Sequence, residues 1–244
     1  TPPKYHQKFC NLCIDGNLDF IVEKPLFLKS DGWNKTIKKI EKKKLICNVA
    51  YPRRLGLSYN YLKDLIDKGK IGKLKIIKSN FSQDFRNLRK DYKKIYYSKK
   101  NQGGGIIYDA LTHHLNLMSF YGGKIKEIKK YEDRLEYKDI KVSDSGIMII
   151  KFYKKIMGII YGNQFQKPNI DEIEFIGTKG NLIFDRIKNT ISIVGKKETK
   201  IKKFNETYED MFKKQITFFL YCINKRLKTS TSISEEFNNL SKIK

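Results

Sequence analysis

The pattern of apolar residues changes once along this chain, and that change limits the fold more than any other feature. Residues 19–22 and 45–50 are short, largely apolar segments with a helical segment between them, a rhythm typical of parallel strands covered on both faces. Residues 125–201 instead form short alternating runs separated by turns such as Gly177-Thr178-Lys179-Gly180, which predicts an antiparallel meander. We therefore predict an α/β chain that begins with the tail of a doubly wound domain and continues into a large, mainly antiparallel open sheet.

Helical spacing and helix-end signals mark the remaining segments. The predicted helices cover residues 3–15, the stretch from the Ser30-Asp31 cap through Ile40, residues 57–68, 106–120 and 208–222, and a short last helix from Ser234. Residues 83–101 are polar and rich in Lys and Tyr, so we expect them to form an exposed loop.

The chain carries a formal net charge of +25, which by itself fits a basic module that binds nucleic acid. Of its 51 basic residues 44 are lysine and seven are arginine, spread along the whole chain, whereas phosphate and base-edge recognition favours arginine. We therefore expect a solvated basic surface and no nucleic-acid partner, with the nucleic-acid module kept as the alternative.

The longest apolar runs, residues 145–150 and 216–223, are too short to span a bilayer, and residues 1–8 lack the features of a signal peptide. We expect a cytoplasmic protein without a membrane partner.

Four cysteines, Cys10, Cys13, Cys47 and Cys222, are too sparse to indicate a disulfide framework. Cys10 and Cys13 have the spacing of a redox or zinc pair, but they fall inside a predicted helix rather than at its N-terminus, where a thiol pKa is lowered. No second pair completes a zinc set. We expect two small buried side chains and no metal site.

Charged residues follow the first predicted strand as Glu23-Lys24-Pro25. Ligands of open α/β sheets bind at the carboxyl ends of parallel strands, and the proline restricts the backbone of Lys24 and so aims its side chain. We interpret this segment as part of a ligand site, although a merely charged loop is the alternative.

Asp109 and His113 are four residues apart on a predicted helix and therefore share one face. A carboxylate beside an imidazole raises its pKa and fixes its tautomer, which suits general acid-base chemistry. A helix-start Asp with a structural His is the alternative. His114 points to the next face and is expected at the surface.

Six motifs, in order and spacing, resemble those of the Gfo/Idh/MocA oxidoreductases over essentially the whole chain. They are Thr1-Pro2-Pro3 with His6, Glu23-Lys24-Pro25, Tyr51 with Arg53-Arg54, Gly69-Lys70-Ile71-Gly72, Gly104-Gly105 with Asp109 and His113, and Gly177-Thr178-Lys179-Gly180.

The resemblance implies a partial Rossmann domain over residues 1–51 and a substrate and oligomerisation domain over residues 52–244. It also implies hydride transfer between NAD or NADP and a hydroxyl of a sugar, cyclitol or related small molecule, in a homodimer or homotetramer formed through the C-terminal sheet. Carried over by motif, Lys24 contacts the reacting hydroxyl and the nicotinamide ribose, Asp109 binds substrate, and His113 takes or returns the proton. The other implied cofactor contacts are Thr1, Pro2, His6, Glu23 and Arg54, and the other implied substrate contact is Asn116.

Three departures from the family pattern are visible. The glycine-rich loop and the acidic residue that select NAD or NADP lie upstream in the family, so we expect residues 1–244 alone to bind cofactor weakly or not at all and to be inactive as a fragment. Leu111 replaces a frequent Gly, and Asn116 stands where Asp is usual. A non-catalytic family member is a further alternative, against which the set of Lys24, Asp109 and His113 speaks.

Overall fold

The structure, a computed structural model, describes residues 1–195 and 198–243. Its helices are α1 (His6–Asp15), α2 (Trp33–Lys42), α3 (Leu57–Asp67), α4 (Phe85–Leu88), α5 (Thr112–Gly122), α6 (Tyr208–Lys225) and α7 (Ile233–Leu240). Its strands are β1 (Phe20–Val22), β2 (Cys47–Val49), β3 (Leu74–Asp84), β4 (Ile125–Asp133), β5 (Ser145–Phe152), β6 (Met157–Asn163), β7 (Phe165–Gly177), β8 (Asn181–Asp185), β9 (Thr190–Val194) and β10 (Thr199–Lys203).

The first part of the chain forms the parallel pair that its apolar segments predict. Strands β1 and β2 pair in parallel, with Phe20 opposite Cys47 and Val22 opposite Val49. Helix α1 contacts both β1 and α2, because its buried side chains, such as Cys10 and Ile14, lie along one face. The crossover from β1 to β2 thus places the residues that follow β1 at the carboxyl end of a parallel strand.

A single large sheet forms the second part, in the order β10-β9-β8-β7-β3-β6-β5-β4. Adjacent pairs are antiparallel apart from β3 and β6, which are parallel. Side chains alternate between faces, as in β5, where Met148 and Ile150 are buried while Ile147 and Ile149 are exposed. The predicted mainly antiparallel open sheet is therefore confirmed.

The C-terminal segment returns to the first part of the chain. The backbone N–H of Val49 donates to the carbonyl of Thr231 at 2.9 Å, and α7 contacts both β2 and α2. The division of the chain into domains at residue 51 stays a prediction.

Residues 83–101 were expected to form an exposed loop, and that expectation is wrong for three of their four aromatic residues. Phe85, Tyr92 and Tyr97 are buried, and they pack in a small core with Tyr137 and the aliphatic residues next to it. Tyrosine rings bury apolar area while their hydroxyls reach polar partners, so a segment rich in Lys and Tyr folds onto the protein although its composition is polar.

All four cysteines are free, and burial raises the pKa of the Cys10 and Cys47 thiols to about 12. Over the ranges 1–195 and 198–243, no group of three or more His, Cys, Asp or Glu side chains is arranged to hold a metal ion. No helix within those ranges has the length and apolar character needed to cross a bilayer.

Gly104 allows the chain to turn from the segment of the small core into the buried helix α5. A Cβ atom on Gly104 would lie 2.0 Å from the carbonyl oxygen of Tyr97, a backbone atom that cannot move aside alone. We predict that Gly104→Ala lowers the free energy of unfolding by about 2 kcal/mol or more, as overpacking does in buried sites.

Gly16→Ala is the matched control, because an added Cβ there meets only ordinary contacts of 3.5 Å or more. Urea denaturation of both variants checks the prediction. A Gly104→Ala protein as stable as the Gly16→Ala protein would contradict the packing described for Tyr97.

Candidate active site

Lys24 joins the two parts of the chain at one point. It follows β1, and its Nζ donates a hydrogen bond to the carbonyl oxygen of Asp109 at 2.5 Å while lying 3.6 Å from the Asp109 Oδ1. The exposed fractions of the two side chains are only 17% and 12%. An ion pair that is this well shielded from water fixes its two partners relative to each other more firmly than an exposed pair does.

The pair lies in a cavity of about 600 Å³ between the end of β1 and the large sheet. Its lining residues are Lys24, Arg53, Phe81, Gln83, Phe85, Leu88, Arg89, Ile95, Tyr96, Asp109, Ala110 and His113. The three residues predicted to share one cleft, Lys24, Asp109 and His113, therefore do so.

Asp109 lies on a turn of π-helix, Ile107–Leu111, that leads directly into α5. Such turns are often found at functional sites. The Tyr96 hydroxyl donates to Asp109 Oδ1 at 2.5 Å, so this carboxylate is held by Tyr96 and Lys24. Because a π-helical turn takes more residues than an α-helical one, Asp109 is not aligned with His113 as two residues four apart on an α-helix would be.

His113 has surroundings different from those the sequence predicts. Its Nδ1 is buried and has no hydrogen-bond partner among the described residues, and its ring contacts the Tyr51 ring edge-on at a centroid distance of 5.5 Å. Burial lowers the pKa of the imidazole well below its ordinary value, and the positive charges of Lys24 and Arg53 lower it further.

The expectation that Asp109 raises the pKa of His113 is thus wrong. Asp109 is engaged by Lys24 and Tyr96 instead, and desolvation dominates around the ring. His113 is consequently a neutral imidazole at neutral pH, with Nε2 as the ring nitrogen left for a ligand.

His114 is buried, contrary to the expectation that it lies at the surface. Its Nδ1 lies 2.6 Å from Ser79 Oγ, and its Nε2 lies 3.2 Å from Arg53 Nη1. Helix α5 contacts β3 and β6 of the sheet as well as α7, so it buries nearly all its faces rather than one stripe. Sequence periodicity alone could not reveal this.

Arg53 is a site residue that sequence reasoning missed. Its Nη2 lies 3.4 Å from the buried Asp171 Oδ2, and Arg186 pairs with the same carboxylate. Burial raises the pKa of Asp171, but Arg53 and Arg186 outweigh it and hold that pKa below its ordinary value. The Arg53-Arg54 pair in the sequence indicated that an arginine follows β2 near the site. Only the structure shows that Arg53 lines the cavity while Arg54 binds Asn116 and Glu235.

Arg54 and Asn116 are placed away from the cavity and bind each other, with Arg54 Nε donating to Asn116 Oδ1 at 2.7 Å. Arg54 also pairs with Glu235 at 2.7 Å. Nearby, Glu236 accepts a hydrogen bond from Tyr51 at 2.7 Å, and burial raises the pKa of Glu236 to about 7. Neither residue lines this cavity, and their network fastens α7 behind Tyr51. The cofactor contact implied for Arg54 and the substrate contact implied for Asn116 stay predictions.

The first residues of the chain are tied to the segment that carries Lys24. The buried His6 has Nδ1 3.1 Å from the Pro25 carbonyl oxygen and Nε2 2.7 Å from that of Thr1. Thr1, His6 and Glu23 border a separate small cavity of about 170 Å³ beside β1. Pro2 precedes the first helical turn, where its carbonyl accepts from Tyr5 at 3.0 Å. His6 therefore braces the segment that positions Lys24.

Curated relatives of this chain are named as oxidoreductases. An oxidoreductase of Formosa agariphila is 24% identical over 201 residues, which are 79% of this chain and 60% of that protein. The myo-inositol 2-dehydrogenase of Thermotoga maritima is 22% identical over 225 residues, 88% of this chain and 65% of that enzyme. The chain thus spans less than two thirds of the length of these two relatives.

Solved structures share the fold over nearly the whole chain. Levoglucosan dehydrogenase in complex with NADH and levoglucosan superposes with a TM-score of 0.88 at 15% identity, covering 99% of this chain and 76% of that one. UDP-N-acetylglucosamine 3-dehydrogenase from Acidithiobacillus ferrooxidans superposes with a TM-score of 0.80 at 13% identity, covering 99% and 73%. These likenesses establish a common architecture that includes the large sheet.

The family model for the GFO/IDH/MocA C-terminal domain matches residues 59–183, just over half of the chain. That range contains the π-helical turn, α5 and the strands β3 to β7. The motifs, the sheet and this match agree, and the chain belongs to the Gfo/Idh/MocA family.

Proposed function

We propose that this chain is part of an oxidoreductase that transfers a hydride between NAD or NADP and a hydroxyl or carbonyl of a sugar, cyclitol or related small molecule. The observation that carries the proposal is the meeting of Lys24, Asp109 and His113 in one cavity. The relatives named myo-inositol 2-dehydrogenase and levoglucosan dehydrogenase support this reaction class.

The residues present at the end of β1 fit the nicotinamide end of such a cofactor. Glu23 and Lys24 place an acceptor and a donor for ribose hydroxyls where ligands of α/β sheets bind, and the brace formed by His6 fixes the first residues, Thr1 and Pro2, beside them. When bound, the nicotinamide ring supplies the hydride chemistry. Solved relatives are described with NADH and as NADPH-dependent, so either cofactor remains within the proposal.

Three side chains of the cavity have separate roles at the reacting hydroxyl. The Lys24 ammonium polarises the hydroxyl oxygen and stabilises negative charge that develops there. His113 is neutral and accepts the hydroxyl proton at Nε2 during oxidation, or returns it during reduction. Asp109, held by Tyr96, keeps Lys24 extended into the cavity, so its role is to position the ammonium and to bind a substrate hydroxyl.

A cavity of about 600 Å³ suits a small polar molecule beside one end of a cofactor. The nucleic-acid alternative is not favoured, because only seven of the 51 basic residues are arginine and the lysines are spread along the whole chain. A non-catalytic role is not favoured either, because the three residues needed for proton transfer lie together.

The proposal includes pairing of two copies through the open face of the sheet. Tyr131, Ile147 and Tyr161 lie opposite one another across β4, β5 and β6, and their exposed fractions are 65%, 46% and 42%. Such a row of exposed apolar side chains is typical of an interaction surface, and a two-fold axis would let the same patch cover itself.

Replacing Lys24 by Met should remove the ammonium while keeping the length of the side chain. In the whole enzyme of which this chain is part, we expect turnover of sugars or cyclitols with NAD or NADP to fall about a hundredfold or more, with little change in thermal unfolding. Steady-state kinetics on a panel of these alcohols measures the effect. Lys29→Met, at an exposed lysine outside the cavity, is the control, and near-normal turnover by Lys24→Met refutes the role assigned to Lys24.

The lowered pKa of His113 predicts the pH dependence of oxidation. Burial disfavours the charged imidazolium, so the base is already neutral at neutral pH and stays so on mild acidification. We expect the acidic limb of the profile of kcat/KM for alcohol oxidation to lie below about pH 6.5, the ordinary pKa of histidine. The limb should disappear in His113→Asn. An acidic limb above that value that depends on His113 would contradict the environment described for the ring.

A further inference from the structure

The cavity that holds Lys24 and His113 has an excess of positive charge. Of the described residues that line it, three are cations, Lys24, Arg53 and Arg89, and one, Asp109, is a carboxylate. Asp109 is already engaged by Lys24 and by the Tyr96 hydroxyl. Asp109 therefore balances the charge of Lys24, and no carboxylate of the lining is left to balance the charges of Arg53 and Arg89.

Arg53 is more than nine-tenths buried, and its guanidinium is only partly satisfied. Nη1 contacts His114 and Nη2 contacts Asp171, whereas Nε is buried without a hydrogen-bond partner in the described structure. Asp171 is shared with Arg186, so one buried carboxylate faces two guanidinium groups. Since unpaired buried charge is costly, this arrangement leaves Arg53 with capacity for a further anion.

Arg89 supplies a second, exposed guanidinium to the lining, and it forms no ion pair within residues 1–195 and 198–243. Its backbone is nevertheless fixed, because its N–H donates to Phe85 at 2.8 Å and its carbonyl accepts from Tyr92 at 2.9 Å. Phe85 packs against the fully buried Tyr97 in the small core, at a centroid distance of 4.3 Å. The arginine is thus carried on a preorganised wall of the cavity.

The lowered pKa of His113 reflects the same positive charges. After burial, the largest influences that lower it are the charges of Lys24 and Arg53. A neutral sugar would leave the charges of Arg53 and Arg89 incompletely balanced at this cavity, whereas an anionic group would compensate them.

We infer that the substrate of this site carries an anionic group, a carboxylate or a phosphate, which Arg53 and Arg89 bind while the reacting hydroxyl lies at Lys24 and His113. Guanidinium groups recognise both anions through paired hydrogen bonds. The inference deepens the proposed function and rests on it for the identity of the reacting end. It narrows the substrate from polyols in general to sugar acids or sugar phosphates.

Equilibrium binding tests the inference without requiring turnover. Calorimetric titrations, with and without NADH, compare each neutral hexose with its hexuronate, its hexonate and its hexose 6-phosphate. We expect at least one anionic member to bind about tenfold or more tightly than its neutral parent, with the advantage shrinking as salt is raised. Comparing the hexuronate and hexonate with the hexose 6-phosphate shows whether the site prefers a carboxylate or a phosphate.

Arg89→Gln is the diagnostic variant, because Arg89 is exposed and its loss leaves no buried partner uncompensated. We expect the ratio of anionic to neutral affinity to fall about tenfold in Arg89→Gln and to stay unchanged in Lys90→Gln, the neighbouring exposed cation that does not line the cavity. Arg89→Lys should recover part of the ratio of anionic to neutral affinity, since lysine restores the positive charge but not the planar guanidinium that forms paired hydrogen bonds.

Three outcomes would overturn the inference: neutral parents that bind as tightly as every anionic partner, no binding of any anionic member, or an unchanged ratio in Arg89→Gln. A clear anionic preference without NAD- or NADP-dependent turnover of any ligand by the whole enzyme of which this chain is part would instead count against the proposed oxidoreductase function. The two failures are therefore distinguishable.

Discussion

The contact between Lys24 and Asp109 is the interaction on which the site depends. It links the end of a parallel strand in the first part of the chain to the helix that crosses the large sheet, and it lies largely out of water. On one side, His6 braces the segment of Lys24 against the first residues. On the other side, Tyr96 holds Asp109 from the wall built on the small aromatic core. Each partner is thus fixed by separate packing, which is what preorganisation of a reactive ammonium requires.

Buried charge around this contact is arranged in two networks with different consequences. Arg54, Asn116 and Glu235 largely satisfy one another and fasten the C-terminal helix α7 to the rest of the protein, which makes their network structural. Arg53 shares Asp171 with Arg186 and keeps an unsatisfied nitrogen, which leaves positive charge at the cavity. The same positive charge and the burial of His113 keep that imidazole neutral, so a proton acceptor and an anion-binding surface come from one arrangement.

Local sequence patterns predicted much of the fold, because apolar periodicity and turn residues are local properties. The parallel pair β1 and β2 and the antiparallel meander follow from them. The meeting of Lys24 with Asp109 and His113 was implied instead by the resemblance of the motifs to the family. The parallel pairing of β3 with β6 depends on distant segments, and no local pattern encodes it.

Tertiary packing determines the features of the site that local patterns missed. These are the π-helical turn at Asp109, the burial of His114 and the separate surroundings of Arg53 and Arg54. For that reason the predicted Asp–His pair proved to be a Lys–Asp pair beside a neutral His.

A crystal structure of the whole enzyme of which this chain is part, with cofactor and a sugar or cyclitol substrate bound, tests the central claim most directly. The account predicts that a single substrate oxygen lies within about 3.2 Å of both Lys24 Nζ and His113 Nε2, the reach of direct proton transfer. A substrate whose reacting oxygen contacts neither group, or contacts Lys24 while His113 remains far from it, would contradict the account.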